Sequence, residues 1–142
     1  MKFEFSAGGV VQKKENEQLY ILLAQHSQHH GWVFPKGLIG DNVAGEKKEA
    51  TAIREVEEET GVLAKLGKAL TPVTYWYQFE GEKRKKTVYY YLMDYISEDP
   101  SKKDDEMENV TWLPIEEVEQ KLTYPSDRQA WQEAKQFIVQ GS

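Results

Sequence analysis

Residues Arg54-Glu55-Val56-Glu57-Glu58-Glu59-Thr60-Gly61 are the most informative stretch of the chain. They close a run from Glu46 filled with strong helix formers, and Gly61 stands where such a helix stops, just past its C-terminus. Residues three and four apart share a helix face, so Glu55, Glu58 and Glu59 project together while Ala50, Ile53 and Val56 are left to face a core. Like charges at that spacing destabilise a helix by roughly 0.2–0.5 kcal/mol per pair. The macrodipole adds about 0.3–1 kcal/mol against each acid in the last turns. Helix stability alone does not select this arrangement. One reading is a solvated acidic face; the other is a set of carboxylates converging on a hard cation such as Mg²⁺.

Charge is uneven beyond the helix. From Asp41 to Thr60 there are seven carboxylates against three bases, and Lys83 to Lys86 is four bases in a row. The pair of clusters suits a metal at the first and an anion at the second. Over all 142 residues, 18 Lys and Arg against 24 Asp and Glu leave a net charge of −6, which argues against a duplex DNA binder. The length is that of a single domain, 1–142, and 4 Trp, 8 Tyr and 5 Phe give its core bulk. The absence of cysteine excludes a disulfide framework and a thiolate zinc site. No apolar run approaches the roughly 18 residues of a membrane span. Glu4 interrupts any signal-peptide stretch, so a soluble, cytoplasmic protein is expected.

Phe3–Val11 and Gln18–Gln25 read as strands around a polar turn, and His26–Gly31 as a loop before the short segment Trp32-Val33-Phe34. Its three histidines lack the helical spacing of a zinc site and read as surface residues near a substrate mouth. Val73–Phe79 and Thr87–Ile96 form a hairpin, with Glu80-Gly81-Glu82 near the turn. Val110–Leu113 is a short strand, Pro114 opens a helix over Ile115–Leu122, and the Ser126–Gln129 spacing caps a last helix to Val139. The predicted order is β-β-β-α-β-β-β-α-α, an α/β class.

Written as a pattern, the informative stretch is Gly40-x5-Glu46-x7-Arg54-Glu55-Val56-x-Glu58-Glu59-x-Gly61-Val62. It resembles the box of the Nudix hydrolase family at every defined position. Ser6-Ala7-Gly8-Gly9-Val10, Trp32-Val33-Phe34-Pro35-Lys36-Gly37 and Trp112-Leu113-Pro114 extend the resemblance over most of the chain. The resemblance implies an α/β/α sandwich with a central mixed sheet, whose loop-helix-loop motif holds Mg²⁺ or Mn²⁺. It implies hydrolysis of a nucleoside diphosphate linked to another moiety: water attacks phosphorus and the metal offsets the developing charge. Carried over, Glu55, Glu58 and Glu59 are the metal ligands, and Glu55 or a nearby carboxylate is the base. Arg54 orients the glutamates, Glu46 braces the loop and Arg54, and Gly61 ends the helix. In such relatives the last glycine of Phe-Pro-Lys-Gly also opens the box. Here Gly37 precedes Glu46 by nine residues, so the loop is three longer and Gly40 fills the position by count.

The Phe-Pro-Lys-Gly segment, the aromatic strand Val73–Tyr77 and Lys86-Thr87-Val88-Tyr89-Tyr90-Tyr91-Leu92 together look like bacterial diadenosine tetraphosphate hydrolases of the asymmetric type, which release ATP and AMP. Tyr77 and Tyr90 are the candidates for stacking on a base, and Lys36 and Lys86 for the polyphosphate. Tyr75 and Tyr77 share one strand face and Trp76 takes the other, one set being core. Lys83, Arg84 and Lys85 read as solubility on a hairpin. Glu106, six residues before Trp112, is the candidate for a further ligand or base. Within the family, the alternatives are a housecleaning pyrophosphatase of nucleoside triphosphates or ADP-ribose, and an RNA-end pyrophosphohydrolase, which lacks the broad basic surface it would need. A nucleotide-binding module without chemistry is the non-enzymatic alternative; such modules commonly lose a carboxylate or the arginine, and all are present here. The expected partner is a small nucleotide, bound by a monomer or homodimer.

Overall fold

The structure, a computed structural model, describes residues 1–40 and 43–140; Asp41, counted above in the acidic segment, lies outside them. Strand β1 (Lys2–Glu15) turns into β2 (Gln18–His26) through Asn16 and Glu17, both at positive φ (50° and 68°), the two-residue geometry that matches strand twist. The two strands pair only from Gln12↔Ile21 to Glu15↔Gln18 and then part. Into the gap come β3 (Trp32–Val33), which pairs with β2, and β4 (Lys36–Leu38), which pairs with β1 at Ser6–Gly8. The split in the sheet makes room for a cleft.

Next come α1 (Lys48–Thr60), β5 (Val62–Ala69), β6 (Val73–Phe79) and β7 (Glu82–Glu98). The chain ends with β8 (Met107–Pro114), α2 (Val118–Lys121) and α3 (Pro125–Gln140). β1 runs parallel to β7 and β7 is antiparallel to both β5 and β6, so the eight-stranded sheet is mixed, as expected. Alternation in β1 sorts two cores. Ala7 and Val11 join Leu22, Tyr91 and Met93 beneath Ala52 and Val56 of α1. Val10 joins Ile21, Leu23, Val88 and Tyr90 beneath Val118 of α2, Leu122 just after it, and Trp131 and Ala134 of α3. No helix among the described residues is long and apolar enough to cross a membrane.

Four local expectations are corrected. Neither β4 nor β5 is in the predicted order; β4 is a strand through its pairing with β1, and β5 through its pairing with β7, broken by two register shifts. Pro114 ends β8, paired with Tyr20, and a 3₁₀ turn at Ile115–Glu117 precedes the four-residue α2. α3 starts at Pro125, whose fixed φ suits a first helical position, so Ser126 lies inside the helix rather than capping it. Ala50 is exposed; Val56 and Ile53 do pack on the core, and α1 also buries Thr51, Ala52, Glu55, Glu59 and Thr60. Two of the three candidate carboxylates are therefore on the inward side of the helix.

Candidate active site

Glycines explain how carboxylates come to be inside. A Cβ on Gly9 would meet the Met93 sulfur at 2.6 Å and Val56 at 3.2 Å, so α1 lies close on β1. A Cβ on Gly37 would sit 2.0 Å from the Glu55 carboxyl carbon and within 2.3 Å of both its oxygens. Gly37 is thus a cradle for that carboxylate. Gly40 has φ 77° and open space where a Cβ would go, so it makes the turn out of β4. The two glycines that competed for one role have different ones. Gly61, at φ 79°, closes α1 and takes the Asp99 carbonyl at 2.5 Å from where its Cβ would be. Asp99 N–H donates to the Gly61 carbonyl (2.8 Å) and Asp104 N–H to that of Glu58 (2.7 Å). The loop carrying Glu106 is docked on the helix end by these bonds.

Arg54 ties the acids together. Its Nε and Nη2 donate to Glu46 at 2.9 and 2.8 Å, and its Nη1 donates to Glu55 at 3.1 Å and Glu58 at 2.9 Å. Glu46, also accepting from Thr51 Oγ1 at 2.7 Å, is held below the usual carboxylate range chiefly by the Arg54 hydrogen bond. Arg54 thus bridges Glu46 on one side to Glu55 and Glu58 on the other. Glu55 behaves oppositely: burial pushes it up to about 7 against the pull of Arg54, with Glu58 and Glu106 adding repulsion. Glu59, 2% exposed, is pushed well above the carboxylate range by burial and then Glu106, although the Lys36 backbone N–H donates to it at 3.2 Å.

Among the described residues no three His, Asp or Glu side chains converge into a ready-made metal cage. The chemistry of the donors nonetheless fits a hard divalent ion. They are oxygens only, two are buried where ionisation is costly without a counter-charge, and Mg²⁺ commonly binds through one or two carboxylates while keeping waters and substrate phosphates. Glu55 and Glu59 face the cleft; Glu58, more exposed, is held toward Arg54.

The cleft encloses about 800 Å³. Glu55, Glu59, Glu106 and Asp127 line it together with Lys36, Lys86, Tyr75 and Tyr77. Burial lowers the Lys86 pKa and neighbouring Lys36 lowers it further, against Glu4 and Glu59. On Lys36, burial is outweighed by Asp127, Tyr75, Glu59 and Glu106, and its pKa rises. Tyr77 is anchored by hydrogen bonding to Glu4, which also accepts from Arg84 Nη1 at 3.2 Å. Arg84, read from sequence as hairpin solubility, is therefore a bracket behind a cleft tyrosine.

Tyr90 does not reach the cleft. It is 1% exposed in the core under α3, and its hydroxyl donates to Asp127 Oδ1 at 3.3 Å. Lys36, Lys86, Tyr77 and Glu106 do line the cleft. Sequence reasoning missed Tyr124 and Asp127. Thr123 N–H donates to the Trp32 carbonyl (3.1 Å) and Trp32 N–H to Thr123 Oγ1 (2.9 Å), which swings Tyr124 against the histidine loop. There the Tyr124 hydroxyl meets His29 Nδ1 at 2.8 Å, and His29 stacks on His26 at 4.2 Å. His26 lies 3.6 Å from Glu106, which gives the loop the place at the cleft mouth that the sequence suggested. Asp127, 1% exposed, accepts from Phe34 N–H at 3.2 Å. A lone Asp near a helix start carries no signal of this.

A family model described as NUDIX domain matches residues 2–134. An 8-oxo-(d)GTP phosphatase of Mycolicibacterium smegmatis is 34% identical over 108 residues, 76% of this chain and 31% of that protein. This chain spans less than half the length of the mycobacterial relatives it matches. The asymmetrical bis(5'-nucleosyl)-tetraphosphatase of Rattus norvegicus is 30% identical over 131 residues, 91% of this chain and 87% of that protein. A crystal structure of a C. elegans Ap4A hydrolase binary complex shares the fold, with TM-score 0.70 and 21% identity over 96% of this chain and 98% of that one.

Proposed function

Because this chain belongs to the NUDIX domain family, we propose that it is a divalent-metal-dependent pyrophosphohydrolase that cleaves diadenosine tetraphosphate asymmetrically to ATP and AMP. The observation that carries this reading is the composition of the cleft, which brings the carboxylates Glu55, Glu59 and Glu106, the lysines Lys36 and Lys86, and stacking-capable rings into one cavity. Lys36 is compensated by Asp127 and Glu59, whereas Lys86 is buried beside it, so a polyphosphate oxygen would supply the counter-charge Lys86 lacks. The rings of Tyr77, Tyr75 and Tyr124 offer faces to a base, each stack contributing about 1–3 kcal/mol. The rat relative, aligned over most of both chains, supports the dinucleotide reading.

In this reading Glu55, Glu59 and Glu58 hold Mg²⁺, with Mn²⁺ as a substitute. The bound ion would supply electrostatic stabilisation of the phosphoryl oxygens. Arg54 fixes the carboxylate rotamers so that no reorganisation is needed during reaction. Lys36 and Lys86 orient the polyphosphate, and Tyr77, held by Glu4, limits the positions a base can take. In the same reading Glu55 or Glu106, both of which line the cleft, takes the proton of the attacking water.

Chromatographic product identification tests the proposal: diadenosine tetraphosphate, dGTP and ADP-ribose are incubated in parallel with the protein and Mg²⁺. ATP plus AMP formed fastest supports it. Faster release of pyrophosphate from dGTP favours the triphosphate reading suggested by the mycobacterial relative, and AMP from ADP-ribose favours that sugar nucleotide. No product from any leaves a nucleotide-binding module. Tyr77→Ala is expected to raise KM for the dinucleotide about tenfold; an unchanged KM removes the stacking role.

A further inference from the structure

We propose that the face of β1, β7 and β6 opposite Tyr77 and Lys86 is a binding platform for single-stranded RNA. The strand register lays out one cross-strand row as Phe3–Lys85–Trp76 and the next as Phe5–Thr87–Thr74, with Lys83 opposite Gln78 beyond. Helix α1 covers this side of the sheet from Ala7 onward and leaves these rows bare. Phe3 is 56% exposed, Phe5 48% and Trp76 48%, in a sheet whose other large side chains are mostly packed.

The charge on the patch is of one sign. Lys83 and Lys85 lie 4.7 and 5.5 Å from the Trp76 ring centroid, and among the described residues neither ammonium has a carboxylate within ion-pair distance. In a chain of net charge −6, two uncompensated cations on one indole are a local reversal. The ligand that answers both features carries planar rings for the aromatics and a regular anionic backbone for the lysines. That is an unpaired nucleic-acid strand, whose bases stack on exposed sheet aromatics. The Thr74 and Thr87 hydroxyls, 3.3 Å apart between the rings, offer hydrogen bonds to a ribose 2′-OH. A second copy of the chain fits worse, because a two-fold contact here would set the lysines against their own images. The four-base run thus divides by strand alternation: Arg84 and Lys86 go to the cleft side and Lys83 and Lys85 to this one.

The test is fluorescence anisotropy with a labelled twelve-nucleotide RNA, in EDTA and from 50 to 200 mM salt. Salt-sensitive binding is expected. The Lys83→Gln/Lys85→Gln variant should lower the slope of log K against log salt by about 1.4, two phosphates at roughly 0.7 each. Phe5→Ala should weaken binding about tenfold with the slope kept. Dinucleotide hydrolysis by Lys83→Gln/Lys85→Gln should stay at the wild-type rate, and unchanged melting curves show that both variants fold. Absent binding, or binding indifferent to these substitutions, overturns the proposal. Equal affinity for the corresponding DNA overturns the choice of RNA. A sedimentation shift in the variants without RNA assigns the face to self-association instead.

Discussion

Replacing Gly37 by alanine adds one methyl group, and the structure says where it goes. The new Cβ falls 2.0 Å from the Glu55 carboxyl carbon, where ordinary contact begins near 3.4 Å. The carboxylate must retreat by more than 1 Å, on the order of the misplacement that costs a catalytic group about a hundredfold. Stability should change little, because the obstructed atoms are the end of one side chain. An off-rotamer Glu55 costs about 0.5–1.5 kcal/mol, a melting shift of about 2–6 °C for a domain of this size. Two other glycines calibrate the argument. Gly40→Ala meets open space and bears only its left-handed φ, at about 1 kcal/mol, so turnover should stay near wild type. Gly8→Ala meets the Pro35 carbonyl at 2.2 Å, backbone against backbone, and should destabilise the fold more than either. Steady-state kinetics with Mg²⁺ and thermal melting of all three decide the matter. Gly37→Ala turning over within fivefold of wild type would refute the cradle.

Arg54→Ala should unfold more easily, by about 2 kcal/mol, because it leaves Glu46, only 9% exposed, without its guanidinium; chemical denaturation gives the value, and Arg54→Lys should recover less than half of it. Asp127→Ala strands Phe34 N–H and the Tyr90 hydroxyl in the core and should cost about 1–3 kcal/mol, with melting as the readout. The pH dependence follows from Glu55 and Glu59, whose folded pKa values lie above the unfolded carboxylate value. Their contribution to stability is fully present below about pH 4.5; that of Glu55 is lost as pH rises through about 7, and that of Glu59 is lost likewise as pH rises through its own raised value. Metal binds the ionised forms, so the gain in Tm from Mg²⁺ over EDTA should be larger at pH 8 than at pH 5.5; equal gains at both would contradict it.

How far the sequence carried can be read from α1. Its formers and Gly61 marked the helix, and the spacing of Glu55, Glu58 and Glu59 marked the chemistry. The inward face was read correctly at Val56 and Ile53 but not at Ala50, and it also takes in Glu55 and Glu59, because hydrophobicity was the only guide to burial, whereas Gly9 and Gly37 let charged groups be buried. β5 carries too little apolar alternation to announce itself and is a strand because β7 is beside it. Tyr90 and Tyr77 look alike in sequence; they differ because Tyr90 lies beneath α3, and only the packing of that helix shows it. Tyr124 and Asp127 depend on contacts spanning some ninety residues, which no local pattern encodes.

β1 behaves like a reading frame. Its odd positions Ala7 and Val11 belong to the core under α1, its even position Val10 to the core under α3, and Gly8 gives the Lys36 backbone its clearance. One residue inserted between Phe5 and Ser6, with the pairing after it kept, would exchange the faces of the positions before it, bringing Phe3 and Phe5 to the cleft side and Glu4 to the α1 side. Substitutions along β1 can be tested by selection one at a time, but changes of length cannot. Insertions that survive in the N-terminal third of the chain should therefore collect at Asn16–Glu17 and beyond Ile39, whose N–H makes the last bond to β1 at Phe5.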